Sequence, residues 1–125
     1  MSKLMSILEQ IAKESDDILG VGIFDYETGV SVIEKNTDPK INLSIPSAYF
    51  SELIKHTKTG YKELGMGEDV KEYVVVVNSC YILIKSIKET KYHILCNISL
   101  NGNQSFIKEV LKKYEDPIGK ELEAF

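Results

Sequence analysis

The amino-acid sequence predicts an α+β domain, in which helices pack on a five-stranded antiparallel sheet in the order α-β-β-α-β-β-β-α. Three stretches carry apolar residues at helical spacing, and five shorter runs between them are rich in β-branched and aromatic residues. Tight turns join strands that follow one another directly, which is typical of a meandering antiparallel sheet. With 125 residues and a hydrophobic fraction of 43%, the chain is long enough for one domain with a small core.

A first amphipathic helix is predicted over residues 3–15, because apolar residues recur there at positions 4, 7, 8 and 11. Ser6 and Glu9 have the spacing of a capping box. The runs "ILGVGIFDY" and "VSVIEK" follow as the first two strands, and the "DYETG" segment supplies the turn between them. The start of the chain is therefore predicted as helix, strand, turn and strand.

The second and longest helix is predicted from about Ser47 to Leu64, after a polar loop that contains two prolines. Gly65 follows at the position where a C-terminal cap is expected. The helical spacing predicts one core-facing stripe, which consists of Phe50, Leu53, Ile54, Thr57, Tyr61 and Leu64.

Three further strands are predicted in the runs "VKEYVVVV", "CYILIKSI" and "YHILCNIS". The last helix is predicted to begin at Asn101, an N-cap with Gln104 as its partner, and to end at Asp116-Pro117. The domain is thus expected to span residues 1–116, with a loose C-terminal tail at 117–125. One face of the last helix is expected to carry Phe106, Ile107, Val110, Leu111 and Tyr114.

The two cysteines are predicted to be buried, reduced thiols. If the turn "KETK" sets Ile87 opposite Tyr92, Cys96 lies opposite Leu83 on the neighbouring strand. Cys80 is then on the other face of the sheet and roughly 10 Å away along the strand, which is too far for a disulfide.

Charge and hydropathy exclude several classes of partner. The net charge of −4 and the pI near 5.2 argue against an electrostatic grip on nucleic acid. No apolar run approaches the roughly 20 residues that span a bilayer, so no membrane insertion is expected and the chain is predicted to be cytoplasmic. Proteins or small molecules are the expected partners. All 15 basic residues are lysines, and there is no arginine.

No convincing catalytic group is found in the sequence. Asp25 and Glu27 are interpreted as turn residues at a hairpin tip, where water is expected to solvate both. His93 and Cys96 are expected on opposite faces of a strand, while a pair of Cys80 with His93 stays open. The glycines match neither a dinucleotide fingerprint nor a Walker loop. The chain is therefore predicted to be non-enzymatic, with no cofactor and no metal.

The order of elements, with "GVGIFDYETGVSV" after the first helix and "LGMGEDV" after the second, resembles the roadblock / dynein light chain family. The resemblance covers residues 4–116, and profilin-like and longin-like folds use related arrangements. It implies a homodimer, or a heterodimer with a sister subunit, in which the second helices pack together and the third strands pair edge to edge. It further implies binding surfaces rather than active sites, used for Ras-like small GTPases or on motor complexes.

The residues also support a dimer on their own account. The third strand is apolar on both faces and carries few charges, so as an edge strand it is an association hazard unless something covers it. On the second helix, Tyr49, Glu52 and His56 lie beside the core stripe. The predicted dimer and partner interface therefore comprises Tyr49, Glu52, Leu53, His56, Glu72, Tyr73, Val74, Val75 and Val76.

The predicted function is a non-catalytic, homodimeric adaptor or scaffold that binds a Ras-like small GTPase and modulates its nucleotide cycle. Without arginine the chain cannot supply an arginine finger, so any effect on hydrolysis would act through the GTPase's own switch loops. Two alternatives stay open: a structural light chain of a larger complex that touches no GTPase, and a profilin-like small-molecule sensor domain.

Overall fold

The computed structural model describes residues 2–67 and 69–125 and has the predicted order of helices and strands. The fold class expected from the sequence is therefore confirmed. The elements are α1 (Ser2–Lys13), β1 (Ile18–Asp25), β2 (Ser31–Asn36), α2 (Ser44–Glu63), β3 (Glu72–Val76), β4 (Cys80–Ser86), β5 (Tyr92–Ser99) and α3 (Gln104–Leu122).

The five strands form one antiparallel sheet in the order β2-β1-β5-β4-β3. Three hairpins join strands that are neighbours in sequence. The pairing of β1 with β5 joins the first hairpin to the other three strands at the centre of the sheet. The central strands are the most buried because helices cover both of their faces. β2 and β3 are the two edges.

Helices α1 and α3 cover one face of the sheet, and α2 lies on the other. Alternation along β5 separates the two cores: Ile94, Cys96 and Ile98 pack towards α1 and α3, and Leu95 packs on the α2 side. The core beneath α1 and α3 is the larger one. No helix within residues 2–67 and 69–125 has the length and apolar character that crossing a membrane requires.

The pairing predicted for the cysteine strands is confirmed. Leu83 lies opposite Cys96, and the Ile87 amide donates to the Tyr92 carbonyl at 3.0 Å. Both cysteines are free and buried, and burial raises the pKa of the Cys96 thiol to about 12. Cys96 is thus an inert apolar side chain of the core.

Two predicted N-caps are wrong. Helix α1 already begins at Ser2, so Ser6 and Glu9 lie inside it and form no capping box. Helix α3 is capped by Asn103 rather than by Asn101, and the Asn103 side chain accepts the Phe106 amide at 3.0 Å.

The predicted end of α3 at Asp116-Pro117 is also wrong, because the helix continues through Pro117 to Leu122. A proline inside a helix removes one hydrogen bond and introduces a steric clash. Burial of Ile118 and Leu122, at 0% and 4% exposure, offsets that cost by packing the last turns on the core. Residues 117–122, predicted as part of a tail, are thus helical, and the Phe125 ring lies edge-on to Tyr92.

Helix α2 ends as the sequence predicts. Gly65 adopts a φ of +70°, and its amide donates to the Lys62 carbonyl at 3.0 Å. The next amide, that of Met66, reaches back to the Tyr61 carbonyl at 3.1 Å. This pair of bonds is a Schellman motif, which satisfies carbonyls at the end of the helix.

Helix α2 has a small buried face, and half of its predicted core stripe is wrong, although Ile54 is buried and Phe50 packs against the same core. Its buried residues are Ser47, Ser51 and Ile54, whereas Leu53, Tyr61 and Leu64 are exposed. The N-terminal half of α2 also approaches the turn after β1 closely. A Cβ on Gly29 would lie 2.9 Å from Ser51 Oγ and 3.1 Å from Ala48 Cα, so no large side chain fits between helix and turn.

We expect Gly29→Ala to lower the free energy of unfolding by about 2–3 kcal/mol. A φ of +78° costs an L-residue about 1–2 kcal/mol, and the added methyl must also displace Ser51. Gly60→Ala is the matched control, because Gly60 lies in α2 with no atom near its missing Cβ; it should stabilise by about 0.5–1 kcal/mol. Urea unfolding measures both, and equal effects of the two substitutions would contradict the close approach.

Candidate interaction surface

Strand β3 is an edge strand with one side of its backbone unpaired by the described chain. The Val77 amide donates to the Cys80 carbonyl at 3.0 Å, and the Lys71 carbonyl accepts the Ser86 amide at 2.9 Å. Backbone groups alternate in direction along an antiparallel strand, so the odd-numbered residues from 71 to 77 bond to β4. The amides and carbonyls of residues 72, 74 and 76 therefore point away from the sheet and are available to another strand.

The side chains of β3 are apolar on both faces, as predicted. Tyr73 and Val75 are half-buried and pack towards α2. Val74 and Val76 lie on the opposite face and are 40% and 63% exposed. Glu72 begins the strand and forms an ion pair with Lys108 of α3 at 3.1 Å. An unpaired edge with this much exposed valine is an association hazard unless something covers it.

Helix α2 carries a second exposed apolar strip. Ile45, Tyr49 and Leu53 follow one another at intervals of four residues and are 61%, 76% and 40% exposed. Glu52 and His56 flank the strip and are themselves exposed. Glu52 lies 2.9 Å from Lys55, whose hydrogen bond lowers the pKa of the Glu52 carboxyl. The strip is thus an apolar ridge with a charged margin.

One tyrosine links the strip on α2 to the edge strand. The Tyr73 hydroxyl is hydrogen-bonded to Thr57 Oγ1 and lies 3.3 Å from the Leu53 carbonyl. Thr57 in turn donates to the same carbonyl at 2.9 Å. Strand β3 and the exposed turns of α2 therefore adjoin, and together they form what we call the interaction surface.

The structure places all nine predicted interface residues on these two elements, seven of them exposed and Tyr73 and Val75 half-buried. Sequence reasoning missed Ile45 and assigned Tyr61 and Leu64 to the core. The four-residue interval from Tyr49 back to Ile45 is the signal that could have found the former. Exposed apolar residues that extend the interaction surface are Ile45, Tyr61, Leu64, Met66 and Val77.

The "DYETG" segment is a structural turn, but Asp25 is not solvated as predicted. The residue is 7% exposed; Oδ1 accepts the Glu27 amide at 2.9 Å, and Oδ2 lies 3.2 Å from Lys91 Nζ. Burial alone would raise the pKa of Asp25, but these bonds and a weaker one from the Thr28 amide outweigh it and lower the pKa. The Asp25 carboxylate therefore links the turn between β1 and β2 to Lys91 in the β4–β5 hairpin.

The candidate catalytic pairs are not brought together. His93 borders the α2 side of the sheet, near Phe24 and Tyr26, while Cys96 packs on the other face, as predicted. The pair of Cys80 with His93, left open by the sequence, is separated: Cys80 pairs with Ser99, and His93 pairs with Ser86 at the opposite end of β4. Within the described part of the chain, no group of three or more histidine, cysteine or acidic residues could hold a metal ion.

No protein-family model matches the sequence, and no curated protein is significantly similar to it. Solved structures are similar in fold. MglB of Myxococcus xanthus superposes with a TM-score of 0.84 at 11% identity, over 100% of this chain and 98% of that one. The gliding protein MglB of Thermus thermophilus gives 0.81 at 15% identity, over 95% and 87% of the two chains.

A Roadblock/LC7 domain from Streptomyces avermitilis gives a TM-score of 0.80 at 12% identity, over 94% of this chain and 95% of that one. Identities this low concern the fold alone. The chain has the Roadblock/LC7 fold, and the resemblance found in the sequence is confirmed at that level.

Proposed function

We propose, from the Roadblock/LC7 fold and the exposed edge of β3, that two copies of this chain form a homodimer that binds a Ras-like small GTPase. The protein acts as a non-catalytic regulator or scaffold in the cytoplasm. The observation that carries the proposal is the unpaired edge, where the outward backbone groups of residues 72, 74 and 76 lie between exposed valines.

The dimer interface follows from what each element leaves exposed. Two β3 strands that pair antiparallel across a two-fold axis satisfy each other's outward amides and carbonyls and close the sheet edge. Because Tyr73 ties β3 to α2, the same axis brings the two α2 helices side by side. The apolar ridge of Tyr49 and Leu53 then packs near its symmetry mate, which gives a closed assembly instead of an open fibre.

The GTPase is the partner class implied by the roadblock resemblance, and α2 is our choice for its docking element. The helices of the dimer present exposed aromatic and charged side chains, a composition that suits a specific protein contact. The chain has lysine as its sole strongly basic residue type, so it offers no arginine finger. Regulation therefore works by favouring one conformation of the GTPase switch loops.

A pull-down from native lysate tests the proposal, with the immobilised protein as bait and either a GTP analogue or GDP present. We expect a small GTPase to be recovered about tenfold more strongly with one nucleotide, which corresponds to about 1.4 kcal/mol. Tyr49→Ser should reduce the recovery, whereas Val30→Ser, which removes another exposed apolar residue near the first turn, should not.

The alternative outcomes separate the competing functions. Equal recovery of one set of partners with both nucleotides would favour a structural light chain. Recovery of no GTPase under either condition would refute the proposed partner but leave the dimer to be tested separately.

A further inference from the structure

A cleft of about 740 Å³ opens beside the C-terminal half of α2, next to the place where β3 begins. The opposite wall is the β4–β5 hairpin, and the segment 69–71 closes one side. Three buried residues, Ile54, Ile87 and His93, form its inner wall. None of the nine predicted interface residues lines this cleft.

Among the described residues, the lining of the cleft carries more lysines than carboxylates, in a protein of net charge −4. Lys85 and Lys91 form ion pairs with neighbouring carboxylates, whereas Lys71 and Lys88 form none among the residues that the structure describes. Lys58 donates to the Tyr26 hydroxyl at 2.9 Å. The part of the lining that the structure describes comprises five lysines, Lys58, Lys71, Lys85, Lys88 and Lys91, and three carboxylates, Asp69, Glu89 and Glu115.

His93 is the buried polar group of the lining. The residue is 4% exposed, and neither Nδ1 nor Nε2 has a hydrogen-bond partner among the described residues. Burial is the largest cause that lowers the pKa of His93 to about 4, and repulsion by Lys58 adds to it; the nearby backbone of Val70 and Tyr92 opposes the shift only in part. The ring is thus neutral at physiological pH. A buried polar atom without a partner is a destabilising feature that a bound ligand could relieve.

We propose that this cleft binds a phosphate monoester with an apolar body. The lysines at the mouth hold the phosphate, an oxygen of the phosphate ester accepts the N–H of the neutral His93 imidazole, and the body lies against Ile54 and Ile87. Lysine binds phosphate as a point charge, and a phosphate monoester carries a charge of about −1.5 to −2 at pH 7, which exceeds that of a carboxylate. The volume is well beyond that of an inorganic phosphate ion, so the cleft has room for such a body.

The proposal is independent of the dimer and of the GTPase, because the cleft residues are separate from the predicted interface residues. It supports the alternative, left open by the sequence, that the chain is a small-molecule sensor domain. The protein could then respond to a metabolite while its interaction surface serves a macromolecule.

An NMR titration of the isotope-labelled full chain tests the site with three probes: phenyl phosphate, inorganic phosphate and benzoate. Phenyl phosphate should give saturable shifts of the amides at 86–91 and of the His93 ring signals. Inorganic phosphate should bind at least fivefold more weakly because it lacks the apolar body, and benzoate at least fivefold more weakly because it lacks the phosphate charge.

The variant Lys71→Ser/Lys88→Ser should weaken phenyl phosphate binding at least fivefold. Its matched control is Lys3→Ser/Lys40→Ser, which removes the same charge from exposed positions that do not line the cleft and should leave binding unchanged. His93→Gln should also weaken binding, with the dispersion of its amide spectrum confirming that it folds.

Three results would overturn the proposal: no saturable shift up to millimolar phenyl phosphate, an equal loss in both lysine double variants, or benzoate binding as tightly as phenyl phosphate. The second result would mean that phenyl phosphate binding depends on the overall charge of the protein and not on the lysines of the cleft. The third would assign the cleft to another class of anion.

Discussion

Val74→Pro is expected to convert the proposed dimer into a monomer while leaving the subunit folded. The Val74 amide points away from β4, so proline removes no hydrogen bond within the sheet, and edge strands tolerate proline at such positions. Across a two-fold axis the substitution deletes two donors and leaves two carbonyls unpaired, at about 1–3 kcal/mol each. The dissociation constant should therefore rise at least a hundredfold, or about 2.7 kcal/mol.

Light scattering across a concentration series, together with urea unfolding of each variant, measures this effect. Val74→Thr is the control, because it keeps the amide and a β-branched side chain and should remain dimeric. Val75→Pro breaks a bond to β4 and should lower the stability of the subunit itself. A wild-type chain that is monomeric at micromolar concentration, or a Val74→Pro variant that stays dimeric, would contradict edge pairing.

Acidification from pH 7 to pH 5 is expected to lower the free energy of unfolding by about 2 kcal/mol through His93 alone. The folded pKa of about 4 lies below the unfolded value of 6.5, so the unfolded chain binds the proton more readily between these values. Stability from this group is complete above pH 6.5 and is lost as the pH falls towards 4. Carboxylates with lowered pKa values, such as Asp25, add to the loss only at lower pH.

Urea unfolding at several pH values should show this slope in the wild-type protein and its absence in His93→Gln. The comparison rests on the pH dependence, so a constant loss of stability in the variant does not obscure it. His56→Gln is the matched control, because the His56 ring lies exposed on α2, and it should retain the wild-type slope. A wild-type protein whose stability is flat between pH 7 and pH 5 would show that His93 is not held neutral by the fold.

The sequence predicted the sheet well because alternation is a local signal. Each strand run matched an observed strand closely, and the pairing of Leu83 with Cys96 followed from the length of one turn. The edge position of β3 came from the family resemblance, and it is what makes the apolar run on that strand a surface. The nine predicted interface residues lie on α2 and β3, and their contact with a partner is still a prediction.

Helices α2 and α3 were predicted less well, for a physical reason in each case. In α2 apolar residues occur all round the helix, so periodicity could not show that serines face the sheet and Leu53 faces outward. In α3 the proline signal was outweighed by burial of Ile118 and Leu122, which is a tertiary effect. The cleft around His93 is likewise built by segments distant in sequence, so spacing alone gave no sign of it.

The small buried face of α2 has an evolutionary consequence. Of its 20 residues, the structure buries Ser47, Ser51 and Ile54, so most of the outer turns carry little of the folding energy. Mutations on those turns can accumulate and be sorted by selection for a partner, without first endangering the fold. A helix with so small a buried face can therefore change its outer residues, and with them its contacts, without a change of fold.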